Sequence, residues 1–394
     1  MSRIVVARYE GAEQTDFGEL VQAASPSFFD RLDEHRERGL FVGVASYWTE
    51  PEDEGASSVI ADDERGLVLA WDGRIDARAE LLRELTAPPG STGAQLALQA
   101  FRRWGSRAPE HMLGDFAMVV VERESGRVFA ARDRFGLRPL THARQRGGRV
   151  LASDERLLFA LGVGRAPDVE ALGRFISRVY VPTTDTLYRD VRNVLAGGTL
   201  EIDGEHVRER RYFEPNVDER KLPDREHLER VRAALTVAVA DRSRGRRLVA
   251  SDASGGVDSS TIVALLAKQL RSAGKQPPLL LHMRCTDMPC DESRFARSLA
   301  RHVGAPLFEA EGAGTHFGPS AIPELDIPDV WCGSTHVLHE EARGRGARVC
   351  FTGQGSDELQ FRYLLVDDAL ATGAWLDAAP VSYTHLTLPT SDLV

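Results

Sequence analysis

Apolar residues in the first half of the chain fall into short runs of strand length, several of them alternating with polar positions. Residues 4–7, 66–71, 116–121 and 127–131 are such runs, rich in Val, Ile, Ala and aromatic residues, and they predict strands. The pairs Asp72-Gly73, Ser125-Gly126 and Gly147-Gly148 read as turn signals between them. Helices fit at 77–85 and 93–104. Pro215 and the charged stretch 217–226 read as a linker. An amphipathic helix then starts near Arg225, with Leu228, Val231, Leu235 and Val239 on one stripe.

From residue 246 the pattern changes to strand, loop, helix, repeated. Residues 247–250 predict a strand, a glycine-rich loop follows, and the next helix buries Val263, Leu266, Ala267 and Leu270. Residues 279–283 predict a second strand, and 291–303 a second helix with Phe295, Leu299 and Val303 in register. A third strand at 349–352 ends in another glycine loop. Strands alternating with helices predict a parallel α/β sheet.

The 394 residues allow two or three domains at roughly 100–200 residues each. At 42% hydrophobic and 27% charged the composition is that of a globular protein. No apolar run approaches the roughly 20 residues of a membrane helix, and no signal-peptide pattern follows Met1. A net charge of −10 gives no reason to expect a nucleic-acid partner. Of the 49 basic residues only Lys221, Lys268 and Lys275 are lysines, so a mechanism that needs an amine has few candidates. Cys285, Cys290, Cys332 and Cys350 have no C-x-x-C spacing. They predict reduced thiols in a cytoplasmic protein rather than a zinc site or a disulfide framework.

The chemistry concentrates in two loops. Ser254-Gly255-Gly256-Val257-Asp258-Ser259-Ser260 follows a predicted strand and opens a predicted helix. Glycines let the backbone approach a phosphate, and successive N–H groups form an anion nest at the positive end of the helix. The hydroxyls of Ser254, Ser259 and Ser260 add donors. Asp258 would repel phosphate unless a divalent cation stood between them, and so reads as a Mg²⁺ ligand. The lysine of a Walker loop is missing; the loop resembles that of the ATP pyrophosphatases, which cleave ATP between the α and β phosphates. Thr352-Gly353-Gln354-Gly355-Ser356-Asp357-Glu358 again lies at the carboxyl end of a strand, where open parallel sheets bind ligands. Asp258 and Asp357 then become two carboxylates able to reach one metal–pyrophosphate.

These motifs resemble the asparagine synthetase family over nearly all of residues 1–380. The resemblance implies an α/β protein. A glutaminase-like αββα sandwich of the Ntn-hydrolase type would occupy 1–212, and a parallel α/β domain of the ATP-pyrophosphatase, adenine nucleotide alpha hydrolase-like, kind 213–380. It implies ATP and Mg²⁺ as cofactors. Ser254, Gly255, Gly256, Val257, Ser259 and Ser260 would hold the pyrophosphate. Thr352 and Gly353 would line the nucleotide, His282 and Met283 would lie near the adenine, and Asp258 and Asp357 would bind the metal. In the first half, residues 72–81, 114–117 and 132–140 resemble the family's substrate loop and two structural signatures, with Asp133 expected to be bonded locally; Ser153-Asp154-Glu155 follows as in the family.

Departures from the family pattern point to a particular branch. A working glutaminase uses an N-terminal cysteine, whereas this chain begins Met1-Ser2-Arg3 and carries Asp72 where the family has asparagine. Gln354 replaces a glutamate thought to handle protons during ammonia attack, and an amide cannot act as a base. The resemblance is strongest to lasso peptide cyclases, with β-lactam synthetases, asparagine-synthase-like amidotransferases and a catalytically dead binding protein as alternatives. Ala371-Thr372-Gly373 stands where the cyclases have a basic residue before glycine. A precursor or core peptide, its leader-binding protein and a protease are the partners this implies, with no nucleic acid and no membrane. Residues 381–394 resemble one reading frame of a transposase sequencing adapter. The expectation is therefore that the natural chain continues differently past Pro380, and that the family's catalytic lysine lies beyond residue 394.

Overall fold

The computed structural model describes residues 2–24, 29–145, 147–177, 184–215, 223–245, 247–289, 291–312 and 332–356. The chain divides into two compact units, Met1–His227 and Leu228–Val394.

The strands of the first unit are β1 (Arg3–Arg8), β2 (Arg31–Glu37), β3 (Leu40–Ser46), β4 (Val59–Asp62), β5 (Leu67–Asp76), β6 (Leu113–Glu122), β7 (Val128–Arg132), β8 (Thr141–Gln145), β9 (Gly148–Ala152), β10 (Val191–Asn193), β11 (Gly198–Asp203) and β12 (His206–Arg211). Its helices include α1 (Phe17–Ala24), α2 (Arg78–Leu85), α3 (Gly93–Trp104), α4 (Glu155–Ala160) and α5 (Val169–Ile176). Two antiparallel sheets form, in the orders β10-β8-β9-β1-β3-β2 and β12-β11-β7-β6-β5-β4.

Alternation along β1 sorts the layers. Ile4 and Val6 point between the sheets, where they join Val42 and Val44 of β3 and Val68, Val119 and Ala130 of the second sheet. Val5 and Ala7 point outward onto Phe17, Leu20 and Leu158 of α1 and α4. The second sheet does the same with Leu69, Trp71 and Met118, which meet Leu81, Leu96 and Ala97 of α2 and α3. The result is the αββα sandwich expected. Each fully buried aliphatic side chain contributes about 1.5–3 kcal/mol to it.

Asp72-Gly73 is not a turn. It lies inside β5, opposite Ala117 and Phe116 of β6. Two facts overrule the local turn signal. A Cβ on Gly73 would come within 2.6 Å of Phe116 Cβ, so only glycine lets the two backbones pair there. Asp72 is 2% exposed with Arg138 Nη1 3.5 Å from its carboxylate. Ser125-Gly126 and Gly147-Gly148 do lie at the β6–β7 and β8–β9 hairpins.

The second unit holds α6 (Asp224–Arg242), which begins just before it, then β13 (Leu248–Asp252), α7 (Val257–Ser272), β14 (Leu279–Arg284), α8 (Ser293–Val303), β15 (Leu307–Glu311), α9 (Cys332–Gly344) and β16 (Ala347–Phe351). All pairings are parallel, in the order β15-β14-β13-β16. On one face Val263 and Ala267 of α7 pack with Ala300 and Val303 of α8, and Leu266 and Leu270 pack with Val239 of α6. On the other, Leu338 and Ala342 of α9 cover Ala250, Leu279 and Leu281.

Two helix stripes differ from expectation. On α6 only Val239 is buried, while Leu228 and Val231 are exposed, so only the carboxyl-terminal turns pack on the sheet. On α8 the buried stripe is Ala296, Ala300 and Val303. Phe295 is 47% exposed, with its Cβ beside Gly255 in the loop that precedes α7.

Candidate functional site

The chain runs from β13 outward to β14 and β15 and returns to β16 on the other side of β13. The strand order therefore reverses at β13, and in such sheets the crevice at the carboxyl ends of the strands on either side of the reversal is where ligands bind. Both glycine loops open there, one after β13 and the other after β16.

The first loop is shaped by Gly255, whose φ is +88°. A Cβ at this position would lie 2.4 Å from Phe295 Cβ and 2.8 Å from Ala296 N, so the loop backbone seats directly on the start of α8. Gly256 N-caps α7 in extended conformation, and no side chain caps that turn. The first-turn N–H groups thus have no side-chain acceptor at the cap, the arrangement that favours an anion. Ser254 Oγ and Ser259 Oγ share a hydrogen bond at 2.9 Å, and the Gly256 N–H donates to Ser254 Oγ at 3.2 Å. Ser254 and Val257 are exposed, Ser259 is buried, and Asp258 and Ser260 are half-buried.

The second loop lies against the first. A Cβ on Gly353 would stand 3.0 Å from Ser259 N. The Ser356 hydroxyl donates to Asp258 Oδ1 at 2.9 Å across 98 positions of sequence. The Gln354 N–H donates to Thr352 Oγ1 at 3.3 Å, with both side chains exposed. Asp357 lies outside the described residues. Asp258, a hard oxygen donor on the first turn of α7, has the chemistry of a Mg²⁺ ligand and sits beside backbone N–H groups suited to phosphate. The residues described fit a metal-bound nucleotide.

His282, expected near the adenine, lies in β14. It is 5% exposed. Its Nδ1 is 2.9 Å from the Ala253 carbonyl oxygen and therefore carries the proton, and its Nε2 is 3.2 Å from Ser293 Oγ. Ser293 Oγ in turn donates to Asp291, and that bond holds the Asp291 carboxyl below its ordinary range. Nδ1 thus anchors Ala253, the residue before Ser254, while Nε2 faces Ser293 at the start of α8. Met283, next along β14, faces the opposite side and packs against the core under α9. Sequence reasoning missed the loop-anchoring role of His282. A polar residue in an otherwise apolar strand run was the available signal.

In the first unit the motif residues are occupied structurally. Ser2 is 7% exposed, and the Tyr47 N–H donates to its Oγ at 3.0 Å. Asp133, 1% exposed, accepts the N–H groups of Phe135, Leu137 and Arg138, the local bonding expected. Asp154 caps α4 by accepting the Arg156 N–H, and Ser153 Oγ accepts that of Ile4. Among the described residues no helix is long and apolar enough to cross a membrane.

The family described as glutamine amidotransferase domain matches residues 49–213, and that described as asparagine synthase matches 230–390. The chain is 28% identical over 334 residues to the Mycobacterium bovis "Putative asparagine synthetase [glutamine-hydrolyzing]", covering 77% of this chain and 49% of that one. It is 27% identical over 219 residues to asparagine synthetase [glutamine-hydrolyzing] 1 of Bacillus subtilis, covering 54% and 34%. Among solved structures, the glutamine phosphoribosylpyrophosphate amidotransferase from B. subtilis complexed with ADP and GMP aligns over 92% of this chain and 93% of that one, at 14% identity and a TM-score of 0.41. The chain spans about half the length of the M. bovis relative and a smaller share of the B. subtilis synthetase. One match of each kind, in the expected order, and relatives named asparagine synthetases make the chain similar to the asparagine synthetase family.

Proposed function

We propose that this protein is an ATP-dependent amide ligase that releases AMP and pyrophosphate, and that it acts as a lasso peptide cyclase. The observation that carries the ligase reading is the contact of the two glycine loops at the carboxyl ends of β13 and β16, tied by the Ser356–Asp258 hydrogen bond.

In this reading the first-turn N–H groups of α7 and the hydroxyls of Ser254, Ser259 and Ser260 hold the β and γ phosphates. A side-chain carboxylate of the substrate attacks the α-phosphorus, the bond to the bridging oxygen breaks, and pyrophosphate stays in the loop. Asp258, together with Asp357 as the sequence leads one to expect, would hold Mg²⁺, which would supply charge neutralisation for that departure. The amine of the same peptide then attacks the acyl carbon, AMP leaves, and the amine proton passes to solvent or to the departing group. Gln354 and Thr352 border the site; an amide at position 354 can orient a substrate by hydrogen bonds but cannot accept its proton. Catalysis on these terms is mostly positioning and electrostatics.

The cyclase reading rests on Ser2 in place of a cysteine nucleophile and on Gln354, both of which argue against ammonia as the amine. Its partners would be a precursor or core peptide, a leader-binding protein and a protease, in the cytoplasm. The relatives named asparagine synthetases favour a second reading, an asparagine-synthase-like amidotransferase.

ATP–pyrophosphate exchange separates them. It is measured on this chain and on a version extended to the length of its relatives, with a candidate core peptide, with aspartate, and with buffer. Exchange that requires the peptide and falls by roughly 100- to 1,000-fold in Asp258→Ala is the expected result. Exchange with aspartate alone moves the assignment to the amidotransferase. A folded, extended protein that exchanges with no carboxylate offered sinks the ligase reading in favour of a binding protein.

A further inference from the structure

Asp252, His339 and Cys350 lie on three different elements, and neither glycine loop includes them. Asp252 ends β13 and Cys350 lies in β16. Ala250 pairs with Cys350 in the parallel register, so Asp252, two residues on, shares the face to which Cys350 points. That face is covered by α9, whose Leu338 and Ala342 are each 3% exposed. His339 follows Leu338 on the same helix and reaches down to the strand ends.

Asp252 Oδ1 is 3.5 Å from His339 Nε2 and 3.8 Å from Cys350 Sγ, and the three ligand atoms all lie within 4.8 Å of one another. The Asp252–His339 separation is too long for a strong hydrogen bond. Both separations match the edges of a tetrahedral zinc site. Bonds of about 2.0–2.3 Å at tetrahedral angles put neighbouring ligand atoms about 3.3–3.8 Å apart. The remaining edge, from His339 to Cys350, is within 4.8 Å and would close by a small rotation of the His339 ring, which is 43% exposed.

We propose that Asp252, His339 and Cys350 form a binding site for a thiophilic divalent metal of the zinc class, distinct from the magnesium site expected at the nucleotide. One thiolate, one imidazole and one carboxylate make a donor set that selects Zn²⁺ over Mg²⁺, which prefers oxygen ligands only. Three protein ligands leave a fourth position for water. The role of the metal is structural. Asp252 is two residues before Ser254 and Cys350 two residues before Thr352, so a metal here clips the roots of both glycine loops to each other and to α9.

The test uses this chain after chelator treatment, titrated with Co²⁺ and then with Zn²⁺. The expected result is a cobalt–thiolate charge-transfer absorption that Zn²⁺ displaces, that Cys350→Ser abolishes, and that accompanies a metal-dependent rise in Tm. His339→Ala, on an exposed helix surface, should keep the fold. It should weaken Zn²⁺ binding by more than the roughly 10- to 100-fold that loss of a supporting group costs. A wild-type protein without the charge-transfer band overturns the site. So does a band that survives Cys350→Ser, which would place the metal on Cys285, Cys290 or Cys332. Should Cys350→Ser fail to fold, an unchanged Zn²⁺ affinity in His339→Ala overturns it equally.

Discussion

The two units carry family motifs in opposite states of use. In the first, the motif side chains are consumed by the fold: Asp133 accepts three backbone N–H groups, Asp72 is buried beside Arg138, and the Ser2 hydroxyl accepts from Tyr47. In the second, the loop glycines bring backbone N–H groups to a strand-end crevice, and the nearby hydroxyls bond one another or Asp258. The same family resemblance therefore goes with motifs consumed by the fold in one half and, in the other, with loops whose backbone N–H groups open on a crevice, the ligand cradle of the proposed function. Motif matching alone does not separate these; where the hydrogen bonds of each motif go does.

The largest effect that would test this contrast is at Asp133. Asp133→Ala leaves three part-buried N–H groups without their acceptor, at about 1–3 kcal/mol each less partial rescue by water. A loss near 4 kcal/mol should lower Tm by roughly 10 °C, read by calorimetry, with exchange per folded molecule unchanged. A variant that melts like wild type would show that the motif is not holding the turn. His142 comes next. Its burial, with Arg149 and Arg192 nearby, pushes the imidazole down to about 4 from an ordinary value of 6.5. The unfolded chain therefore binds a proton between pH 6.5 and 4 that the folded chain refuses. Stability falls as pH drops through that window by up to about 3 kcal/mol. Subtracting the denaturation profile of His142→Phe from that of wild type should isolate this slope, and two parallel profiles would refute it.

Gly255→Ala should cost about 1–3 kcal/mol for backbone strain at positive φ, with the added clash against Phe295. Unlike Asp133→Ala it should also reduce ATP–pyrophosphate exchange at saturating protein stability; an exchange rate equal to wild type would mean that the first loop is not the cradle. Ser2→Ala sets the lower bound. It should change stability by no more than about 1 kcal/mol and leave glutamine hydrolysis at background, measured as released glutamate. Hydrolysis in wild type that this substitution removes would restore a catalytic role to the first unit.

Much of the architecture was legible because its signals are local. The runs at 116–121 and 279–283 have the length and composition of strands, and the glycine loops announce themselves by type and order. What was not legible depended on neighbours distant in sequence. β2 reads Arg-Leu-Asp-Glu-His-Arg-Glu and has only Asp33 buried. As the edge of its sheet it needs no apolar alternation and therefore gives none. Asp72-Gly73 has the composition of a turn, and only the approach of Phe116 makes it strand. Phe295 fits a helical stripe, yet the small residues Ala296 and Ala300 face the sheet, because α8 packs close to the strands. The Asp252, His339 and Cys350 cluster was invisible for the same reason, since parallel pairing of β13 with β16 and the packing of α9 on the sheet bring its residues together.

That parallel pairing governs the order in which the molecule can be made. Ser251 pairs with Phe351, and joining chain positions 100 residues apart carries a loop-closure cost of about 4 kcal/mol in its length-dependent part. On the ribosome, at roughly 5–20 residues per second, the first glycine loop emerges some 5–20 seconds before the second. Throughout that interval it has no second loop to lie against. The first unit, complete earlier, has time to fold alone, whereas the two glycine loops meet only once the strand β16 has been made. Any small molecule that bridges the two loops then acts on biogenesis as well as on turnover, by holding shut a ring that the chain itself closes late and at entropic cost.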